Sequence, residues 1–573
     1  MRLKILRIIT VILFLMLLGN FFYLQILKGE YFYRLSVNNR IRIVPLEGPR
    51  GLIRDRNGII LADNRVAFHV SVIPQDVKDK ESDPLFDFLS QTLSIEKKIL
   101  QQRFKEKRLA PFVPVVIAED IDKEDAMVLE ENEYRFPGLH VQKAFQRQYP
   151  FKDATAHVLG YVGKITRSKI ERLKAYGYTP QSVVGYSGVE EFYDQYLRAH
   201  EGGLQIEVNN RGQQVRLLSL KEPKAGEEVQ LTIDHQMQQI ATQVMSNHPG
   251  AVIVMNLDSG EILGLTSSPT FDANIFTDGR LRKQKVTIVK DEHSPLLNRA
   301  IKGMYPPGSI FKIVVTLAGL TTKKLQASSS FNCPGYYQLG KRPFKCAHIH
   351  GLQNLLEAIM HSCNVYFFNA GVLLGPELMS QYAHLLGLGS LTQVDLPFEE
   401  KGSIPSPLER KMRRHQDWYK GDTLNYSIGQ GDVLVTPLQM VRMMATVALD
   451  GREVQPHVIQ NIGSMPLVKL SAVRSLPIDE KIFKMIQSGL RSVVHDSTGT
   501  AHILDLPGLD IAGKTGTAQS VPGKESHAWF VGYNLSGKNR VVFCVFLEHG
   551  GSSYNACVIA KDLLLKMKEK GII

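Results

Sequence analysis

The sequence predicts an α+β protein in which one membrane helix and a mixed pedestal precede a larger domain whose antiparallel sheet is assembled from both of its ends. Three observations lead there. A cationic start precedes a single long apolar run, strand-like pairs occur over residues 229–266 and again over 510–547, and much of the stretch between them is helical in period. The chain, at 573 residues, exceeds one ordinary core, so several domains are expected. Hydrophobic residues at 44% and charged residues at 22% exclude disorder as the main state. The formal charge of +12 is spread along the chain, with no compact basic cluster and no nucleic-acid motif. No nucleic-acid partner is therefore expected, and the charge suits a neighbour of anionic lipid or anionic polymer.

The first residues set the compartment. Arg2, Lys4 and Arg7 precede an apolar run from Ile8 to Leu27, 20 residues, the length needed to cross a bilayer as a helix, although Asn20 and Gln25 weaken it. A cleaved signal peptide is the competing reading. No Ala-x-Ala-like site follows, and Phe21, Phe22, Tyr23, Tyr31, Phe32 and Tyr33 have the composition of a membrane interface. The expectation is an uncleaved anchor, with residues 1–7 in the cytoplasm, 8–27 in the inner membrane and the remainder in the periplasm or its extracytoplasmic equivalent.

Residues 28–227 read as the pedestal. Arg50 to Ala62 is a hairpin turned at Asn57-Gly58, Asp79–Phe136 has a helical period, and His157–Gly163 has the look of a short strand. A helix opens near Gly188 and ends around Gly202. Nothing in this region has the spacing of a nucleophile and its base or of a metal site. Residues 228–573 change texture. A strand at Val229–Asp234 and a helix at Gln236–Met245 lead to paired buried strands at Gly250–Asn256 and Ile262–Thr266. Helices follow, with another near Pro437–Ala448. Strands return at Asp510–Ala518, His527–Tyr533 and Arg540–Leu547, and a closing helix spans Ala556–Lys570.

Tyr305-Pro306-Pro307-Gly308-Ser309 followed by an apolar run is a helix start, which places Ser309 where free backbone N–H groups favour developing negative charge. Lys312, three residues on, shares its helix face. A serine needs a base, and a desolvated lysine can serve. Alone, the stretch reads more simply as a capped core helix with a surface lysine. Ser362-Cys363-Asn364 follows 53 residues later in a loop, offering a hydroxyl and an amide. Lys514-Thr515-Gly516-Thr517 lies on an expected edge strand, where Gly516 admits a substrate backbone and the lysine and threonines can bind a carboxylate. Each motif alone is a common turn or strand end; their order makes chance a poor explanation.

These three motifs resemble those of the penicillin-binding proteins, closest to the elongation-specific class B high-molecular-weight transpeptidases. The resemblance extends over nearly the whole chain, through the Arg50–Gly58 box, Gly188-Val189-Glu190, Ser427-Ile428-Gly429-Gln430-Gly431 and His527-Ala528-Trp529-Phe530. It implies a penicillin-binding, serine β-lactamase-like domain that cross-links peptidoglycan stem peptides, is blocked covalently by β-lactams and uses no cofactor for catalysis. Ser309 is then the nucleophile and Lys312 its base, with Ser362 relaying protons towards Lys514. Asn364 holds the substrate amide, and the N–H groups of Ser309 and Thr517 form the oxyanion hole. Thr515, Gly516 and Thr517 bind substrate. The implied partners are a membrane-embedded glycosyltransferase, contacted through the anchor and pedestal, and other elongation-complex proteins. A DD-carboxypeptidase or β-lactamase on the same framework, and a β-lactam sensor without turnover, are the alternatives. Seven cytoplasmic residues are too few for a sensor's signalling domain.

Cys363 in the middle of the second motif is a departure from the family pattern. With Cys333, Cys346 and His350 it makes three thiolates and an imidazole, the ligand set of a closed structural zinc site, and some members of the family hold a metal in this region. A Cys333–Cys346 disulfide with Cys363 free is the rival in an oxidising compartment.

Overall fold

Residues Arg2–Phe22 form an α-helix that a π turn at Tyr23–Leu27 continues, exposed throughout and long and apolar enough to cross a bilayer. The computed structural model describes residues 2–33, 41–77, 79–108, 111, 113–136, 138–179, 182–208, 214–466 and 474–573. The chain divides into two compact units. The first comprises Met1–Arg50, Asn64–Gln146 and Arg198–Gly226, the second Gly51–Asp63, Arg147–Leu197 and Glu227–Ile573.

In the first unit, Ile41–Leu46, Gly202–Val208 and Gln214–Lys221 form an antiparallel three-stranded sheet. The helices Asp79–Leu93 and Lys97–Glu106 supply Leu85, Phe86, Leu89 and Leu100 to a small core with Val70, Val72, Val115 and Ile117. The helical reading of Asp79–Phe136 thus holds for these two helices and again for Lys123–Glu131, while Val115–Ile121 between them is a strand. The run Val115-Val116-Ile117 after a proline carried that signal, since β-branched side chains suit a pleated surface. Likewise the expected helix up to Gly202 ends at Leu197, and Gly202 starts a strand.

In the second unit the hairpin turns where expected. Asp55 Oδ1 accepts from the backbone N–H groups of Asn57 and Ile59, 2.8 Å each, and Gly58 takes the positive φ that the turn needs. His157–Gly163 differs from expectation. Ala156–Leu159 is a buried helical turn ended by Gly160 at φ +77, and only Val162–Lys164 is strand. A four-residue apolar run fits either period, and the glycine stop decided it. Beneath this segment, Arg147 Nε donates to Glu190 Oε1 at 2.6 Å and its Nη1 donates to the Gly51 carbonyl, with both side chains almost fully buried. Glu190→Ala leaves a buried guanidinium without its counter-charge, so a loss of about 3–5 kcal/mol is expected in denaturant unfolding.

The centre of this unit is an antiparallel five-stranded sheet: β1 (Gly250–Asn256), β2 (Ile262–Ser268), β3 (Ile511–Ala518), β4 (His527–Asn534) and β5 (Val541–Leu547), in the order β2-β1-β5-β4-β3. The two ends of the domain meet where β1 pairs with β5. Almost every residue of these strands is buried, because helices cover the sheet: His235–Met245 and Ser553–Glu569 form one layer, Pro437–Ala448 and Glu480–His495 another. β3 is left at an edge.

Candidate active site

The Pro306-Pro307-Gly308 turn is pinned from several directions. Tyr305 exchanges backbone hydrogen bonds with Val435, the Trp529 indole donates to the Pro306 carbonyl at 3.1 Å, and Gly308 N–H donates to the Gly429 carbonyl at 3.0 Å. Two glycines bring this turn against the edge strand. A Cβ on Gly308, at φ +58, would stand 2.7 Å from the Thr517 carbonyl, and one on Gly516 would stand 2.8 Å from the Pro307 carbonyl. Ser309 lies in a 3-10 turn, Gly308–Phe311, that runs into the α-helix Lys312–Thr321. The expected helix start is therefore a tighter turn than an α N-terminus.

Lys312 is 1% exposed. Its Nζ donates to the Ser362 carbonyl at 2.7 Å, to Ser362 Oγ at 3.2 Å and to Asn364 Oδ1 at 2.7 Å, beneath the Phe367 ring. Burial lowers its pKa to about 8, against the opposing pull of Cys346 and Cys363. Roughly a tenth of such an amine is neutral at pH 7. Ser362 follows the helix Leu355–Met360, whose start is a capping box between Asn354 and Glu357. Ser362 itself sits at φ +55, a strained conformation for serine that aims the loop at Lys312. Asn364 opens the next helix.

Lys514 on β3 is fully buried, and burial together with the nearby Lys312 charge drives its pKa well below the ordinary value. Its Nζ reaches the Thr515 carbonyl at 3.4 Å. Thr515 is buried with its hydroxyl 2.9 Å from that of Thr500, whereas Thr517 is exposed and accepts from Ser553 N–H. Ser309, Lys312, Ser362, Asn364, Lys514, Thr515, Gly516 and Thr517 thus come from three distant parts of the chain to one edge of the sheet.

Gln430 reaches the site although it stands in none of the three motifs. Its Nε2 donates to the Thr517 carbonyl at 3.4 Å, and its Oε1 accepts from Gln519 N–H at 3.3 Å. The sequence signal was present in Ser427–Gly431, but a glutamine 87 residues before its partner has no local signature.

One Sγ each from Cys333, Cys346 and Cys363 and one ring nitrogen of His350 lie within 4.8 Å of one another, and all five cysteines are free thiols. His350 Nδ1 is 3.5 Å from Cys333 Sγ and 3.6 Å from Cys346 Sγ. Ligands on a tetrahedral zinc at ordinary bond lengths are separated by about 3.5 Å for such a sulfur–nitrogen pair, so the donor set fits the metal. The hydrogen bond from the Cys363 thiol holds the Cys346 pKa below its ordinary value, and the same bond keeps the Cys363 proton in place, raising its pKa. The cluster touches the second motif directly: Asn364 N–H donates to Cys346 Sγ at 3.2 Å. His348 contributes its carbonyl to Cys333, and His361 packs on His350 while bonding Gln353 and Thr498.

Comparison with known proteins gives a match to the penicillin binding protein transpeptidase domain over residues 250–565 and to the penicillin-binding protein dimerisation domain over residues 45–231. The peptidoglycan D,D-transpeptidase MrdA of Acinetobacter baumannii is 32% identical over 97% of this chain and 85% of its own. Penicillin-binding protein PBP2 of Helicobacter pylori, solved in complex with MreC, superposes with a TM-score of 0.84 at 28% identity, over 93% of this chain and all of that one. A chain from a peptidoglycan synthase complex solved to explain coordinated polymerisation and crosslinking gives a TM-score of 0.73 at 28% identity, over 99% and 98% of the two chains.

Proposed function

The chain belongs to the penicillin-binding protein transpeptidase family, and on that premise we propose that Ser309 is the residue it acylates. It is a penicillin-sensitive peptidoglycan D,D-transpeptidase of the cell-elongation kind. Neutral Lys312 takes the Ser309 proton as Oγ attacks the penultimate D-alanine carbonyl of a stem peptide. The bond to the terminal D-alanine breaks, and the proton passes by way of Ser362 to the leaving amine. The N–H groups of Ser309 and Thr517 stabilise the oxyanion, at about 3 kcal/mol per donor in comparable sites. Lys514, Thr515 and Thr517 hold the terminal carboxylate beside Gly516, and Asn364 orients the substrate amide. An amine from a neighbouring stem then takes the acyl group and restores Ser309. A β-lactam acylates the same oxygen.

The observation that carries this reading is the buried Lys312 amine held by Ser362 and Asn364, which puts a partly neutral base between the first two motifs. Labelled penicillin tests the reaction class. A covalent complex that outlasts the unreacted drug is expected, because a transpeptidase acyl-enzyme awaits an amine. Steady release of hydrolysed penicillin would make the chain a β-lactamase or carboxypeptidase.

Cys333, Cys346, His350 and Cys363 would hold a structural zinc. It would supply no chemistry to the acyl transfer; its ligands would fix the Ser362 loop through the Cys363 backbone and the Asn364 N–H on Cys346. The apolar N-terminal helix would anchor the chain with its N-terminus in the cytoplasm and the catalytic domain outside, residues 28–227 serving as pedestal and 228–573 as transpeptidase domain. By analogy with the relatives solved with MreC and in a synthase complex, the partners are elongation-complex proteins, including a membrane glycosyltransferase that makes the glycan.

A further inference from the structure

β3 ends at Ala518 and β4 begins at His527, and residues 519–526 join them without the tight two-residue turn that locks the ends of a short hairpin. The loop leaves β3 just after Thr517, whose N–H the mechanism above uses for the oxyanion. Its hold comes from the connection between β5 and the helix Ser553–Glu569. There His549 takes φ +56, an uncommon backbone conformation for a residue of its size, and its ring stacks on His527 with centroids 4.9 Å apart. His549 Nδ1 lies 3.2 Å from the Glu525 carbonyl and 3.0 Å from Ser520 Oγ, one on each leg of the loop. A carbonyl oxygen only accepts, so Nδ1 carries the proton and both legs share it. The His549 backbone N–H donates to His527 Nδ1 at 3.2 Å. Burial first, and the His549 ring second, lower the His527 pKa to about 4, which leaves that nitrogen a lone pair with which to accept. The same connection meets the loop and β3 twice more: Gly551 N–H donates to the Ser526 carbonyl at 2.8 Å, and Ser553 N–H donates to Thr517 Oγ1 at 3.2 Å.

We propose that His549 is a positioning residue for acyl transfer: by stapling Ser520 to Glu525 it holds the end of β3 still, and with it the Thr517 N–H. This rests on the reading of Ser309 as nucleophile and Thr517 as an oxyanion donor. His549 acts through the strand end and not on the reacting atoms. Gln430 grips the same end at Thr517 and Gln519, and His549 closes the loop beyond it. With the staple gone, the last ladder pair, Ala518 with His527, is free to fray. The N–H of the neighbouring Thr517 then spends part of its time turned away from the oxyanion, and a donor that is not held in place stabilises the transition state less.

The test compares the wild type with His549→Ala and His549→Asn in the full-length chain. Alanine removes the donor. Asparagine tolerates a positive φ and places an amide N–H about where histidine has Nδ1. Two quantities are measured: the rate constant for acylation by excess penicillin, which does not depend on how much of the sample is folded, and the rate of trypsin cleavage after Lys524, which lies exposed in the loop. His549→Ala should acylate roughly tenfold more slowly and be cut at Lys524 at least about tenfold faster. His549→Asn should stay within about twofold of the wild type in both. Wild-type acylation by His549→Ala, slow acylation with the loop no more open to trypsin, or an asparagine variant as slow as the alanine one would each overturn the proposal. A wild type that penicillin does not acylate would instead bring down the assignment of Ser309, and this role of His549 with it.

Discussion

Lys312→Met should lower the rate of penicillin acylation by at least about 10³-fold while leaving a folded protein. Methionine fills nearly the same buried volume under Phe367 but has no nitrogen to take the Ser309 proton. The Ser362 carbonyl and Asn364 Oδ1 each lose a charged donor in the same change. An unmet buried acceptor costs about 1–3 kcal/mol, so a lower melting temperature should accompany the loss. Acylation kinetics and a thermal melt on the same sample separate the two effects. A variant that melts lower but acylates at the wild-type rate would show that Lys312 is structural only.

With zinc held by the cluster as proposed, Cys333→Ser should abolish metal binding and slow acylation by roughly tenfold, with the melting temperature falling by about 5–10 °C. Cys333 is fully buried and far in sequence from the reacting groups, so its effect must travel through the cluster. The route is short: Cys346 Sγ accepts the Asn364 N–H, and Asn364 Oδ1 accepts from Lys312. A strong chelator should do the same to the wild type and nothing further to the variant. Purified wild type without zinc, together with a Cys333–Cys346 bond in a non-reducing peptide map, would replace the metal by a disulfide.

The chemistry-bearing residues were legible because their types are demanded by the reaction and their order by the fold. Ser309, Lys312, Ser362, Asn364 and Lys514 each sit in a short motif, and the flanking apolar strands predicted the sheet whose edge receives them. What escaped reading was decided by distant contacts. Gln430 gains its place from Thr517, and Val115–Ile121 becomes a strand by pairing with residues near Val70. Gly160 ends a helix because Ser187 crosses so close that no side chain fits. The unit boundaries are discontinuous for the same reason. Segments 51–63 and 147–197, continuous in sequence with the first unit, bury Ile53, Leu61, Val158 and Val189 in the core of the second.

The central claim is that Ser309 carries the acyl group, with Lys312 as its base. Mass spectrometry of peptides from the penicillin-treated protein tests it directly. One penicillin mass should be found on the peptide that contains Ser309, and it should be absent from Ser309→Ala treated in the same way. Modification of any other residue, or an unchanged adduct in Ser309→Ala, would contradict the account.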